Sequence, residues 1–315
     1  MIRQFVMKNL STLEEVTFGQ DIDCDYVYES GGLDWNNIPA THNTYNYPGQ
    51  IGDSISSSKI NNRDITIEAY AYYFLNDDER EDYGRNWVEY AYEKIKEKKE
   101  TLNRIINPLD TVRITVGNYY IEGKPNATVK YGVTERENNI YFCKFLISIF
   151  CANPMFKKIT QSISLLSGDF GTFFFPLSIP STGYKFGVRV NYLSLKVENE
   201  GNSEIGAKII LTAKDYIQVP TILNESNGQQ FTINKNLNAG EKVVINTSDG
   251  SEKGVIGTYQ GVTSSYLKYW DFAQNDWMKF KPGFSTVSYT TLNQAEDKLD
   301  VKIEINPEKY GLEDM

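Results

Sequence analysis

Between residues 193 and 306 the sequence falls into short alternating stretches divided by turn-forming pairs. That pattern makes an antiparallel β-sandwich the natural way to bury its apolar faces. Leu193, Leu195 and Val197 share one face, as do Ile209, Leu211 and Ala213. Leu299, Val301, Ile303 and Ile305 alternate with Asp300, Lys302, Glu304 and Asn306, the period-two signature of a strand with one dry side. Asn227-Gly228 and Asp249-Gly250 are pairs that tight hairpin turns favour, because such turns need positive φ. With 315 residues, the chain also has room for a second domain with its own core.

The front half reads differently. Residues 3–8, 15–18 and 24–28 are strand-like, but residues 30–62 are rich in Gly, Asn, Ser and Tyr and show no strong periodicity. A connection of that length is either functional or docked elsewhere. It predicts an extended arm, or belt, ordered against a neighbouring subunit, with Tyr45, Tyr47, Ile51 and Ile55 as its interface residues. Residues 64–73 alternate cleanly, with Ile65, Ile67, Ala69 and Ala71 on one face. Asn76, Asp77, Asp78 and Glu79 then supply a helix cap and acidic first turn. Tyr83, Trp87, Ala91, Ile95 and Leu102 make one apolar stripe, so the helix must lie across a sheet. Pro108 closes it, at a length of roughly 35–40 Å.

Three strands are expected next: residues 111–116, a long bent strand over 118–133, and residues 140–151, apolar on both faces and therefore central. Pro154 cannot donate to a ladder and marks the exit from the first domain. The expected fold is thus mostly β with one long helix: an α+β front domain over residues 1–157 and an antiparallel β-sandwich over 158–315. Phe173, Phe174, Phe175, Pro176 and Leu177 are expected to form a hydrophobic anchor between the two.

The formal net charge of −9 disfavours nucleic-acid partners, since an acidic surface repels phosphates. The basic residues from Lys94 to Lys99 are interleaved with Glu93, Glu97 and Glu100 and read as a solvated helix face. Cys24, Cys143 and Cys151 make neither a Cys-x-x-Cys pair nor a disulfide framework and are expected as buried thiols. The start lacks a signal-peptide apolar core, and no apolar run is long enough to span a bilayer, so folding in a reducing cytoplasm is expected, with no membrane partner.

The sequence carries no recognisable catalytic equipment. The single histidine, His42, has no neighbouring acid in sequence. Asp21, Asp23 and Asp25 briefly resemble a calcium loop, but Tyr26 stands where the sharp turn needs Gly and Gly32 where the bidentate Glu belongs. Glu122, Gly123, Lys124 and Pro125 lack the upstream Gly and the Ser or Thr of a phosphate loop. No catalytic residue, cofactor or metal is therefore expected. A carbohydrate-binding module stays open as a rival: Trp270 and Trp277 either stack on a sugar or partner, or pack within the sandwich. The back half's lack of histidine and its single arginine, Arg189, weigh against a polar sugar cluster.

The order of these features resembles the distal tail protein family of long-tailed phages that infect Gram-positive hosts. The likeness rests on Asn62-Arg63-Asp64-Ile65-Thr66-Ile67-Glu68 before the helix and on Phe150-Cys151-Ala152-Asn153-Pro154-Met155-Phe156. In the back half it rests on Glu198-Asn199-Glu200-Gly201-Asn202, Ile222-Leu223-Asn224, Leu237-Asn238-Ala239-Gly240-Glu241, Ile245-Asn246-Thr247 and Trp277-Met278-Lys279-Phe280-Lys281-Pro282-Gly283. The resemblance implies a non-enzymatic structural part of the virion, a homohexameric ring at the tail tip (baseplate). Front domains with their belt would form the ring, and galectin-like back domains would project outward. The implied partners are further copies of itself, the tail tube protein, the tail-associated hub protein and a receptor-binding protein. The equivalent baseplate part of a contractile tail or a tail-derived bacteriocin fits the same residues.

Overall fold

The computed structural model describes residues 4–21, 23–35, 37–73, 86–139, 141–171, 187–191, 194–249, 253–270 and 275–312, with the backbone alone at 29–30, 165–171 and 187–191. The chain forms two compact units: Met1–Ile159 together with Lys309–Met315, and Thr160–Glu308. Apart from short 3-10 turns and one α-helix, the regular elements among the described residues are strands.

The first unit contains β1 (Gln4–Asn9), β2 (Glu15–Gly19), β3 (Tyr26–Asp34), β4 (Ala40–Tyr45), β5 (Ser54–Ile60), β6 (Arg63–Tyr72), α1 (Trp87–Ile105), β7 (Val112–Val116), β8 (Tyr119–Pro125), β9 (Lys130–Tyr131), β10 (Phe142–Cys151) and β11 (Phe156–Lys158). Seven strands run in the order β8-β7-β1-β2-β3-β6-β10, and β8 also pairs with β10 through Ile149↔Pro125 and Phe150↔Lys124. That last pairing closes a barrel, which removes the open edges of a sheet. Alternation along each strand fills the core: Phe5 and Met7, Val16 and Phe18, Ile65 through Ala71, Val112 and Ile114, and Phe145 through Ile149 are all buried. Phe18, Tyr26 and Phe145 meet through their rings, with centroids 5.2–6.3 Å apart.

Helix α1 adds Leu102 and Ile105 to this core and buries Ala91 and Ile95. Its polar side is fastened as well. The Tyr26 hydroxyl donates to the Lys98 carbonyl at 2.8 Å, the Tyr131 hydroxyl donates to the Lys99 carbonyl at 3.1 Å, and the Lys98 ammonium donates to the Asp25 carbonyl at 2.8 Å. Lys94, Lys98 and Lys99 are half-buried while Lys96 is exposed, so the basic run is solvated only in part, and burial pushes the pKa of Lys98 down. Tyr83 and the capping residues 76–79 lie outside the described residues, and Trp87 is half-buried rather than core, set against Tyr141.

Several sequence expectations need correcting here. Residues 30–62 carry strands that their weak periodicity did not predict: β3 extends to Asp34, and the expected arm takes the form of a hairpin of β4 and β5. The expected long strand over 118–133 breaks after Pro125 into β8 and β9, both paired to β10. Strand β10 is internal in its pairing but dry on one face only, with Phe142 and Leu146 half-buried and Phe150 exposed. Pro154 does not end the first unit's pairing, because β11 follows it and joins β8 through Lys157↔Tyr120.

The second unit opens with β12 (Ser162–Gly171), β13 (Gly187–Asn191), β14 (Ser194–Asn199), β15 (Ile205–Gly206), β16 (Lys208–Ala213), β17 (Thr221–Asn224) and β18 (Gln229–Thr232). It continues with β19 (Lys242–Asn246), β20 (Gly254–Tyr259), β21 (Val262–Ser265), β22 (Lys279–Phe280), β23 (Gly283–Thr290) and β24 (Leu299–Ile305). One sheet has the order β13-β12-β24-β16-β19-β20-β21 and another β14-β23-β17-β18, all antiparallel. Ile209, Leu211, Val243, Ile245, Val301 and Ile303 from the first sheet share one core with Val197, Ile222, Phe231, Val287 and Tyr289 from the second, which is the packing of a sandwich. Gly228 takes φ +72° in the β17–β18 turn, where a side chain would be strained. Gly250 and residues 173–177 lie outside the described residues.

Candidate assembly surface

Strands β4 and β5 pair only with each other among the described residues, and their side chains are exposed on both faces. With no dry face, polar side chains add to the backbone pairing. His42 Nδ1 and Ser58 Oγ are 2.8 Å apart, Asn43 Nδ2 donates to Ser57 Oγ at 2.9 Å, and Ser56 Oγ donates to the Asn43 carbonyl at 3.0 Å. At the root, Asn61 Nδ2 donates to Thr41 Oγ1 at 2.8 Å and the Asn61 amide donates to the Pro39 carbonyl at 2.9 Å. His42 is thus a cross-strand hydrogen-bonding residue.

The apolar residues sit near the tip. Tyr47 is 63% exposed and Ile55 61%, Ile51 stands wholly in solvent, and Tyr45 meets Tyr47 edge-to-face with centroids 5.2 Å apart. Gly49 and Gly52 turn the chain with φ of +87° and +79°. A lone two-stranded hairpin is marginal in water, and its two open edges are templates for further pairing. Covering one of its Ile side chains would contribute roughly 1.5–3 kcal/mol.

The two tryptophans part company. Trp270 is buried, its ring against Phe231 and Trp277, so it cannot offer a face to a sugar. Trp277 is half-buried on the same core, and the Lys253 ammonium lies 5.0 Å from its ring centre. Asp249 holds that lysine at 3.2 Å and Lys279 at 2.6 Å, and the hydrogen bond from Lys279 above all keeps its carboxyl below the usual range.

Asp25 accepts from the Thr17 amide and hydroxyl at 2.7 and 2.8 Å, and among the described residues no group of three or more His, Cys, Asp or Glu is placed to hold a metal ion. All three cysteines are buried and unpaired with one another.

Superposed on solved structures, the chain aligns over 96% of its length with 98% of the SPP1 Dit (gp 19.1) protein, at a TM-score of 0.56 and 13% identity. The chain has the SPP1 Dit fold. A chain of the phage P2 baseplate in its activated conformation with Ca aligns over 96% of this chain and 98% of its own, at 13% identity and a TM-score of 0.41. No protein-family model matches the sequence, and no curated protein does. SPP1 Dit is described as a paradigm of the hub adsorption apparatus in phages that infect Gram-positive bacteria.

Proposed function

We propose that this chain is a structural, non-enzymatic protein of a phage tail tip. It works by self-association into a homohexameric ring that joins the tail tube to the hub protein and serves as a docking platform for host-adhesion components such as a receptor-binding protein. The observation that carries this reading is a fold likeness to SPP1 Dit that runs through both units rather than one. The exposed hairpin supports it, since Tyr45, Tyr47, Ile51 and Ile55 are apolar groups without a covering surface in the single chain. In a head-to-tail ring each copy offers its hairpin to the next, and the ring closes if the rotation per copy is sixty degrees. The first unit, with this belt, forms the ring; the sandwich is the galectin-like outer lobe. The protein resides in the virion tail tip and is made and assembled in the host cytoplasm.

Deleting residues 41–58 tests the hairpin's part. The deleted chain should stay folded, because neither strand contributes to the core, and light scattering should find it as a monomer. Intact hexamers from the deleted chain would refute the belt.

A further inference from the structure

Arg63 opens β6 with only Asn61 and Asn62 between it and the hairpin, and it is fully buried. A buried guanidinium is costly unless acceptors meet its donors. Here Nη2 reaches the Tyr310 carbonyl and the planar group lies 5.0 Å from the Phe156 ring centre. Nε and Nη1 have no partner among the described residues, and desolvation pulls the Arg63 pKa down to about 10.

Tyr310 belongs to a segment that rejoins the first unit after the whole of the second has been traversed. Leu312 of that segment is buried in the same core as Phe5 and Phe18, and the Lys309 ammonium lies 4.7 Å from the Tyr119 ring centre. Arg63 also forms the terminal pair of the β6–β10 ladder, opposite Cys151. Without the returning segment the guanidinium would lose the carbonyl it donates to, and Leu312 would leave a void. Rehydrating Arg63 would draw it off β10 and loosen the Asn61 hydrogen bonds that tie the hairpin's root.

We propose that residues 309–312 are a strap that completes the first unit's core and, through Arg63, locks the root of the β4–β5 hairpin. The first unit reaches its final form only after the second has been synthesised. The lock is independent of oligomeric state; its consequence, that the assembly surface is withheld until the strap is in place, rests on the ring reading.

Hydrogen exchange separates the two. It compares the full chain, a chain stopped after Glu308, and Leu312→Asp. Amides at 61–67 should exchange roughly tenfold faster or more in both altered chains, with β16 and β24 keeping their full-chain rates. A peptide of residues 309–315 added to the stopped chain should restore slow exchange, and Arg63→Met in the stopped chain should restore part of it. Equal rates in the full and stopped chains, or losses as large in β16 and β24, would overturn the strap; no recovery with Arg63→Met would overturn Arg63 as the lock. Rings failing to form in a chain with normal exchange would count against the ring reading and leave the lock standing.

Discussion

The Asn199 side-chain amide donates to the Phe280 carbonyl at 3.0 Å, deep in the second unit. The two preceding carbonyls are gripped likewise: Lys279 by Asn224 at 3.2 Å and Met278 by Thr247 at 2.7 Å. Buried side chains from three separate segments thus hold the successive carbonyls that lead into and through β22, which among the described residues pairs only with the two residues of β15. Asn199 also donates to the Ser203 carbonyl and accepts from the Gly201 amide. Asn199→Leu leaves these groups unmet and should cost about 3 kcal/mol, read as a lower urea midpoint of the second unit. An unchanged midpoint would mean that β22 is held by its packing alone.

Glu241 makes that unit's stability depend on pH. Its carboxylate is buried, which by itself raises the pKa, but it accepts from the Asn238 amide at 3.0 Å, from Lys235, and from the Tyr266 hydroxyl at 2.6 Å, and the net position lies below the ordinary 4.5. A depressed folded-state pKa adds stability above the unfolded value that is lost as pH falls through the folded one. Melting temperatures of the second unit should therefore drop as pH falls below the ordinary glutamate range, and Glu241→Gln should be less stable at neutral pH with a flatter acid limb. Tyr266, pushed up to about 12 chiefly by burial, stays a donor throughout.

Barrel closure in the first unit depends on Gly123. A methyl there would sit 2.6 Å from the Phe150 carbonyl oxygen, 2.7 Å from Ile149 and 2.8 Å from the Cys151 sulfur, beside the pairing that closes the barrel. Gly123→Ala should destabilise the first unit by roughly 1–3 kcal/mol or more and leave the second unit's transition in place. Calorimetry should show a lowered transition for the first unit beside an unshifted one for the second, and an unshifted first transition would place the closure elsewhere.

The helix offers an internal contrast. Ile95 is 1% exposed, so Ile95→Ala should cost about 2–4 kcal/mol, whereas Trp87→Ala, at a half-buried position, should cost about half that or less. Denaturant midpoints of the two variants give the order, and the reverse order would put the helix's main anchor at its first turn.

What the sequence disclosed followed from one-sided burial. Strands such as β6 and β24 write their environment as alternation, and α1 writes its own as a stripe. The β4–β5 hairpin is wet on both sides, so it leaves no alternation; Ser, Thr and Asn hold it through side-chain bonds that resemble a loop's composition. In β10 the outward Phe142, Leu146 and Phe150 are apolar, so the sequence alone suggests a strand buried on both faces. Arg63 gave no warning, since its acceptor lies 247 residues away. Asn199, Asn224, Glu241 and Thr247 stand within motifs legible in the sequence, yet their grip on β22 and on the Tyr266 hydroxyl is a matter of tertiary geometry.

Negative-stain microscopy of the concentrated full chain, beside a chain carrying Tyr47→Ser, Ile51→Ser and Ile55→Ser, tests self-association through the hairpin. Those side chains are exposed, so each change should shift monomer stability by no more than about 0.5 kcal/mol. If the hairpin joins the copies, the full chain gives six-fold rings with a central hole and the substituted one gives single particles. Single particles from the full chain, or unchanged rings from the substituted one, would contradict that role.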